Sequence, residues 1–136
     1  MKTVATLLIS FLIQASSQIP KNNPNGVWES ASGTQYELRL NGEDLSVRLV
    51  PGTNARFVSY DVDLKNSKDE TNTYVGKGFL VAKVTDDKQC KFEMEWQLTV
   101  VTLDRILGAT SNIVPDPETC TVKEKTQSQL DLKRKK

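Results

Sequence analysis

The chain of 136 residues contains no histidine. That absence removes the most common general base, the Ser-His and Cys-His nucleophile pairs, and most zinc sites. Cysteine is nearly absent too, at two residues. No stretch repeats apolar residues at helical spacing over three turns, so a helical bundle is excluded. After the first residues there is no second long apolar run, so no membrane-spanning helix is expected in the mature chain. No D-x-D-x-D-G loop surrounds Asp86 and Asp87, so calcium is not indicated. Gly76 and Gly78 lie inside a strand-like segment with no helix start after them, so they do not form a phosphate cradle.

What is present begins with MKTVATLLISFLIQASSQ. Lys2 precedes an apolar run over residues 4–13, and Ala15, Ser16 and Ser17 follow. That order is the pattern of a secretory signal, residues 1–17, with a cut after Ser17. The apolar run is too short to span a bilayer. A secreted chain, extracellular or periplasmic, is expected to oxidise an even number of cysteines, so Cys90 and Cys120 are predicted to form a disulfide. Residues 18–25 read as a flexible polar leader with two prolines. Residues 18–120 hold 11 basic and 15 acidic residues, whereas residues 121–136 hold six basic and two acidic. An acidic body therefore carries a basic end, with residues 133–136 as a tail. No aromatic is interleaved with those cations, so nucleic acid is not an expected partner.

The remainder alternates at strand period. Strands are predicted over residues 27–31, 34–40, 45–49, 56–64, 73–84, 90–102 and 105–114, and from residue 121 onward. Asn41-Gly42 is the strongest hairpin signal. Tyr36, Leu38 and Leu40 share one face of their strand. So do Val58, Tyr60, Val62 and Leu64 of theirs, and Cys90, Phe92, Met94, Trp96, Leu98 and Val100 of theirs. Seven to nine strands with short turns and one apolar face predict an all-β antiparallel up-and-down meander, residues 26–132, closing into a small barrel of about eight strands. A two-sheet β-sandwich is the alternative.

Gly26-Val27-Trp28 at the start of the first strand resembles the calycins, the lipocalin and avidin barrels. The resemblance implies that Trp28 plugs the closed end of a barrel and that a basic residue of the last strand, Lys133, Arg134 or Lys135, covers its ring. The chain departs from those families elsewhere. Ser59-Tyr60-Asp61 does not reproduce the lipocalin Thr-Asp-Tyr order, and Trp96 alone stands for the later tryptophans of the avidin site, so biotin binding is not implied.

For function, the paired carboxylates Glu93/Glu95 and Asp61/Asp63 fall on the outer, solvated parity, where nothing splits their pKa values. The expectation is a secreted non-catalytic binding protein without metal or cofactor, holding a small apolar molecule in the barrel. Trp28, Tyr36, Tyr60, Tyr74, Gly76, Gly78 and Trp96 share the inner parity and are the candidate lining. Gly76 and Gly78 would either provide space for the ligand or relieve a bend. A barrel of this size holds its own side chains or one small ligand. The alternative is a protein-interaction module, such as a protease inhibitor, using the stiffened loop Val114, Pro115, Asp116, Pro117 and Glu118. A third reading is a barrel with a purely structural role.

Overall fold

The computed structural model describes residues 23–136; the signal pattern and most of the leader lie outside the described residues. Eight strands follow in chain order: β1 (Gly26–Glu29), β2 (Gln35–Asn41), β3 (Asp44–Leu49), β4 (Phe57–Asn66), β5 (Thr73–Thr85), β6 (Lys88–Thr102), β7 (Arg105–Pro115) and β8 (Val122–Arg134). Each pairs antiparallel with the next, and β1 pairs with β8, so the sheet closes on itself as a ring without helices among the described residues. The expected up-and-down meander is present and closes on itself, and the two-sheet sandwich alternative is not what forms. No helix among the described residues is long and apolar enough to cross a membrane.

Alternation explains the ring. Inward residues are apolar on nearly every strand, and a sheet with one apolar face hides it by curling until its edges meet. Trp28, Leu38, Leu45, Val47, Val62, Leu64, Leu98, Ile106 and Leu132 are fully buried in the resulting core. The β2–β3 turn shows how local chemistry sets register. Asn41 faces Asp44, leaving Gly42 and Glu43 as the loop, and of these Gly42 alone takes a positive φ, +63°. A two-residue hairpin loop wants that backbone conformation at its first position, which glycine adopts without steric cost.

Four expectations are corrected. Val58 does not face inward: the β4–β5 register shifts between Phe57 and Ser59, a β-bulge that exposes Val58 and turns Phe57 toward the core. The leader is not loose over residues 23–25, since Pro24 is buried and the Asn25 side chain accepts a hydrogen bond from the Leu40 amide at 2.6 Å. The basic end is not a free tail either. β8 continues past Leu132, with Lys133 opposite Glu29 and Arg134 opposite Trp28. Gly76 and Gly78 provide no empty space. Their partners across the ladder are Leu64 and Val62, and a Cβ at either glycine would run into the β4 main chain at Asp63 or Asp61. They mark a close approach of two strands.

The Cys90–Cys120 disulfide forms as expected, with its Cα atoms 5.4 Å apart. Its position has structural meaning. The β6–β7 ladder stops at Trp96 and Thr110. Beyond it, β7 pairs only with β8, up to Pro115 opposite Val122. The outer half of the β7–β8 hairpin is thus a two-stranded arm leaving the ring. The disulfide ties the arm's loop back to β6, and the Lys88 ammonium donates to the Glu118 carbonyl at 2.7 Å beside it.

Candidate functional site

The two ends of the barrel differ. At one, Trp28 is fully buried and its indole N–H donates to the Pro24 carbonyl at 2.8 Å. The Arg134 guanidinium covers the indole, 4.5 Å from the ring centre. It also donates to the carbonyls of Leu103 at 2.7 Å, and of Asn25 and Asn23 at 2.6 Å each. Gly26 makes room: its φ is +135°, and an added Cβ would come within 2.9 Å of the guanidinium. No buried side-chain nitrogen or oxygen of this end lacks a partner among the described residues, and the fully buried Trp28 closes it.

The opposite end holds a cavity of about 450 Å³. Its size is that of a small-molecule site. Tyr36 (β2), Tyr60 (β4) and Trp96 (β6) form its floor. The three rings meet edge to face, with centres 5.9 Å apart for Tyr36 and Tyr60 and 5.2 Å apart for each tyrosine and Trp96. Phe57 joins the cluster against Tyr60 at 5.6 Å. Edge-to-face contacts fix ring positions, so this floor is stiff. Leu80, Met94, Ile113 and Leu130 provide apolar wall, and Thr34, Asn54 and Asn112 stand among the polar residues of the lining.

Hydrogen bonding distinguishes the two tyrosines. The Trp96 indole N–H donates to the Tyr60 hydroxyl oxygen at 2.8 Å, and that hydroxyl lies 3.4 Å from the Thr110 hydroxyl. The Tyr36 hydroxyl has no hydrogen-bond partner among the described residues, although the residue is only 4% exposed and lines the cavity. No buried side-chain oxygen or nitrogen among the described residues lacks a partner, so this hydroxyl opens onto the cavity, where a ligand or a water molecule reaches it. Burial, followed by the neighbouring Tyr60, raises the Tyr36 pKa far above its ordinary value. Burial likewise raises that of Tyr60, against the lowering effect of its bonds to Thr110 and Trp96. Both hydroxyls are neutral at physiological pH.

A second depression, about 580 Å³, lies outside the ring where the β6–β7 ladder ends. Its walls include the outward side chains of Lys77, Glu95, Gln97 and Lys125. Lys77 and Lys125 both approach the Glu95 carboxylate, at 4.0 and 3.7 Å. Although larger, it has its charges already paired, and the inner cavity is the better candidate. Trp96, Thr110 and Ser111 line both. Here the Glu95 amide donates to the Ser111 hydroxyl at 3.1 Å, a side-chain oxygen in the place of the next ladder carbonyl.

Of the seven candidate lining residues, the fold brings Tyr36, Tyr60 and Trp96 together. Trp28 lies at the shut end, Tyr74 sits opposite Leu98 and outside the cavity, and Gly78 is packed against β4. Gly76 borders the outer depression alone. Phe57, Thr110, Asn54 and Leu130 line the cavity as well, outside that set. Only Asn54 carried a local signal, in the turn sequence PGTNA: its side chain accepts the Arg56 and Phe57 amides and donates to the Thr34 hydroxyl at 2.8 Å.

The residues of the proposed interaction loop form no extended segment. Val114 and Pro115 belong to the β7–β8 ladder, and the Asp116 carboxylate accepts the Glu118 amide at 2.9 Å. That bond is the first cause holding the Asp116 carboxyl below its usual pKa. The Cys120 amide donates to the Asp116 carbonyl, closing the turn at 2.9 Å. No grouping of three metal-ligating side chains occurs among the described residues. No protein family, curated protein or solved structure matches this chain.

Proposed function

We propose that the chain is an exported, calycin-like carrier that holds one small, uncharged, largely apolar molecule in the open end of its barrel. The observation that carries this reading is the Tyr36 hydroxyl, unmatched among the described residues, on a stiff floor of three aromatic rings. A flat apolar body stacks on that floor, and an acceptor oxygen or nitrogen takes the Tyr36 proton. Charge is disfavoured in the ligand because the lining offers hydroxyls and amides, and its one carboxylate, Asp131, is bonded to Arg105 at 2.9 and 3.2 Å. The same inventory suits holding rather than proton transfer. The disulfide fits an oxidising compartment.

Titration with N-phenyl-1-naphthylamine, a neutral apolar fluorophore, tests the proposal. The expected result is saturable one-to-one binding with energy transfer from Trp96, abolished in Trp96→Ala that is still folded by circular dichroism. Absence of saturable binding to this probe and to a panel of neutral aromatic and terpenoid molecules would overturn it.

A further inference from the structure

We infer that two copies of this chain pair through the edge of β8, making one antiparallel sheet that continues across a twofold axis at Ser128. The starting point is an imbalance of lengths. β8 spans Val122–Arg134, but its neighbour β1 spans only Gly26–Glu29 and meets β8 at Lys133 and Arg134 alone. The chain turns away after Glu29, and among the described residues no strand lies beside the rest of that edge.

Backbone directions identify the unpaired groups. The Arg134 amide donates to Asp104, on the β7 side, whereas the Lys135 amide donates to Val27, on the β1 side. Main-chain groups of successive strand residues point to opposite edges. The register with β7 shifts at Lys123, and beyond it the Thr121 carbonyl accepts the Asp116 amide on the hairpin side, so the alternation holds only from Glu124 onward. The N–H and C=O of Lys125, Gln127, Gln129 and Asp131 therefore all point to the open edge. All four residues are exposed. Such a row of donors and acceptors is a template for another strand.

The sequence of the edge selects the occupant. An isologous contact requires a surface that matches itself under a twofold rotation. With the axis at Ser128, Lys125 stands opposite Asp131 of the second copy and Gln127 opposite Gln129. Every main-chain group of the open row from Lys125 to Asp131 finds a partner in this register. A slip of the axis to Gln127 sets Lys125 against Gln129 and leaves Asp131 facing the bulge at Lys123. The register with the most hydrogen bonds is thus the one that joins the opposite charges, a favourable cross-strand pair made twice. Asp131 keeps a second cation, Arg105, on its own β7, so its carboxylate is shared between the two.

Sedimentation and light scattering of the oxidised protein across the micromolar range test the inference. The wild type is expected to be a dimer, with the Gln127 and Gln129 amides protected from hydrogen exchange. Gln127→Pro removes an amide that serves no bond within the monomer, so the barrel tolerates it; this variant is expected to be monomeric. Lys125→Glu, a change of an exposed side chain that leaves the fold intact, sets like charges opposite each other and is expected to raise the dimer dissociation constant about tenfold. A wild type that stays monomeric overturns the inference. So does a dimer that both variants leave unchanged, which would place the contact on another face, and so does a β8 edge that captures only foreign extended peptides.

Discussion

Arg134 and Trp28 face each other across the seam that closes the barrel, and they are joined by both ladder register and a cation–π stack at 4.5 Å. The guanidinium also gathers three carbonyls from two other segments, so one side chain locks the first strand, the last strand and the β6–β7 turn. Replacing Arg134 with Ala removes the stack and leaves those carbonyls to water. The expected loss of stability is about 2–4 kcal/mol, from a desolvated cation–π contact and charged hydrogen bonds. Chemical denaturation measures it, and Trp28 emission should shift to the red in the native baseline.

Tyr36→Phe separates packing from recognition. The ring keeps its contacts with Tyr60 and Trp96, and no protein hydrogen bond is lost among the described residues. Stability should therefore change by less than about 1 kcal/mol, while affinity for a neutral ligand bearing an acceptor should fall about tenfold. Paired denaturation and fluorescence titrations check both halves.

The outer half of the β7–β8 hairpin depends on the disulfide. Replacing Cys90 and Cys120 with Ser together should cost about 3 kcal/mol, the chain-entropy value for a loop of this length. Hydrogen exchange should locate the effect: amides over residues 111–127 speed up, and those around Trp28 and Leu38 do not.

Gly78→Ala places a methyl group against the main chain of β4, with the Val62 Cα and the Asp61 carbonyl in its path. Since backbone cannot step aside as a side chain can, overpacking of about 1–3 kcal/mol is expected. Thermal unfolding of the purified variant measures the loss. An unchanged midpoint would mean that the two strands are further apart than described.

Tyr36 and Tyr60 predict alkaline behaviour. Burial raises both folded-state pKa values above the ordinary 10.0. In the unfolded chain the phenols ionise near that value, while the folded barrel holds them neutral. Their contribution to stability is therefore complete below about pH 10, declines from there, and is lost as pH rises through the folded values. Denaturation midpoints taken between pH 8 and 11.5 should fall beyond 10. Phenolate absorbance should develop at lower pH in urea than in buffer.

How much of this was legible beforehand varies with the physical scale involved. Strand period and turn chemistry are local, so all eight strands were visible in the alternation around Tyr36, Val47, Tyr60 and Trp96. The disulfide followed from compartment and an even count. Val58 and Phe57 exchanged faces because a bulge shifts alternation by one residue, and the apolar pattern on both sides of it stayed intact. The site was half legible. Parity indicates which residues look inward, and Tyr36, Tyr60 and Trp96 do. It does not indicate which end an inward ring leans toward: Trp28 is the ladder partner of Tyr36, yet its indole reaches Pro24 and Arg134 at the shut end, and Tyr74 stays outside the cavity. Nor does it report strand separation, which turned two glycines from candidate space into contact.

The seam that closes the ring also governs the order of events in folding. Neighbouring strands meet through short turns, but Lys135 reaches Glu29 across 106 residues of sequence and Arg134 reaches Asn23 across 111. Contacts so distant in sequence come late, because the chain gives up most of its freedom before they reward it. Until then β1 has β2 alone beside it, and Trp28 lacks its cover. A nascent chain whose last strand has not emerged is thus an open, curved ribbon with a bare indole at its rim, the form in which this protein is most exposed to chaperones and to its own neighbours.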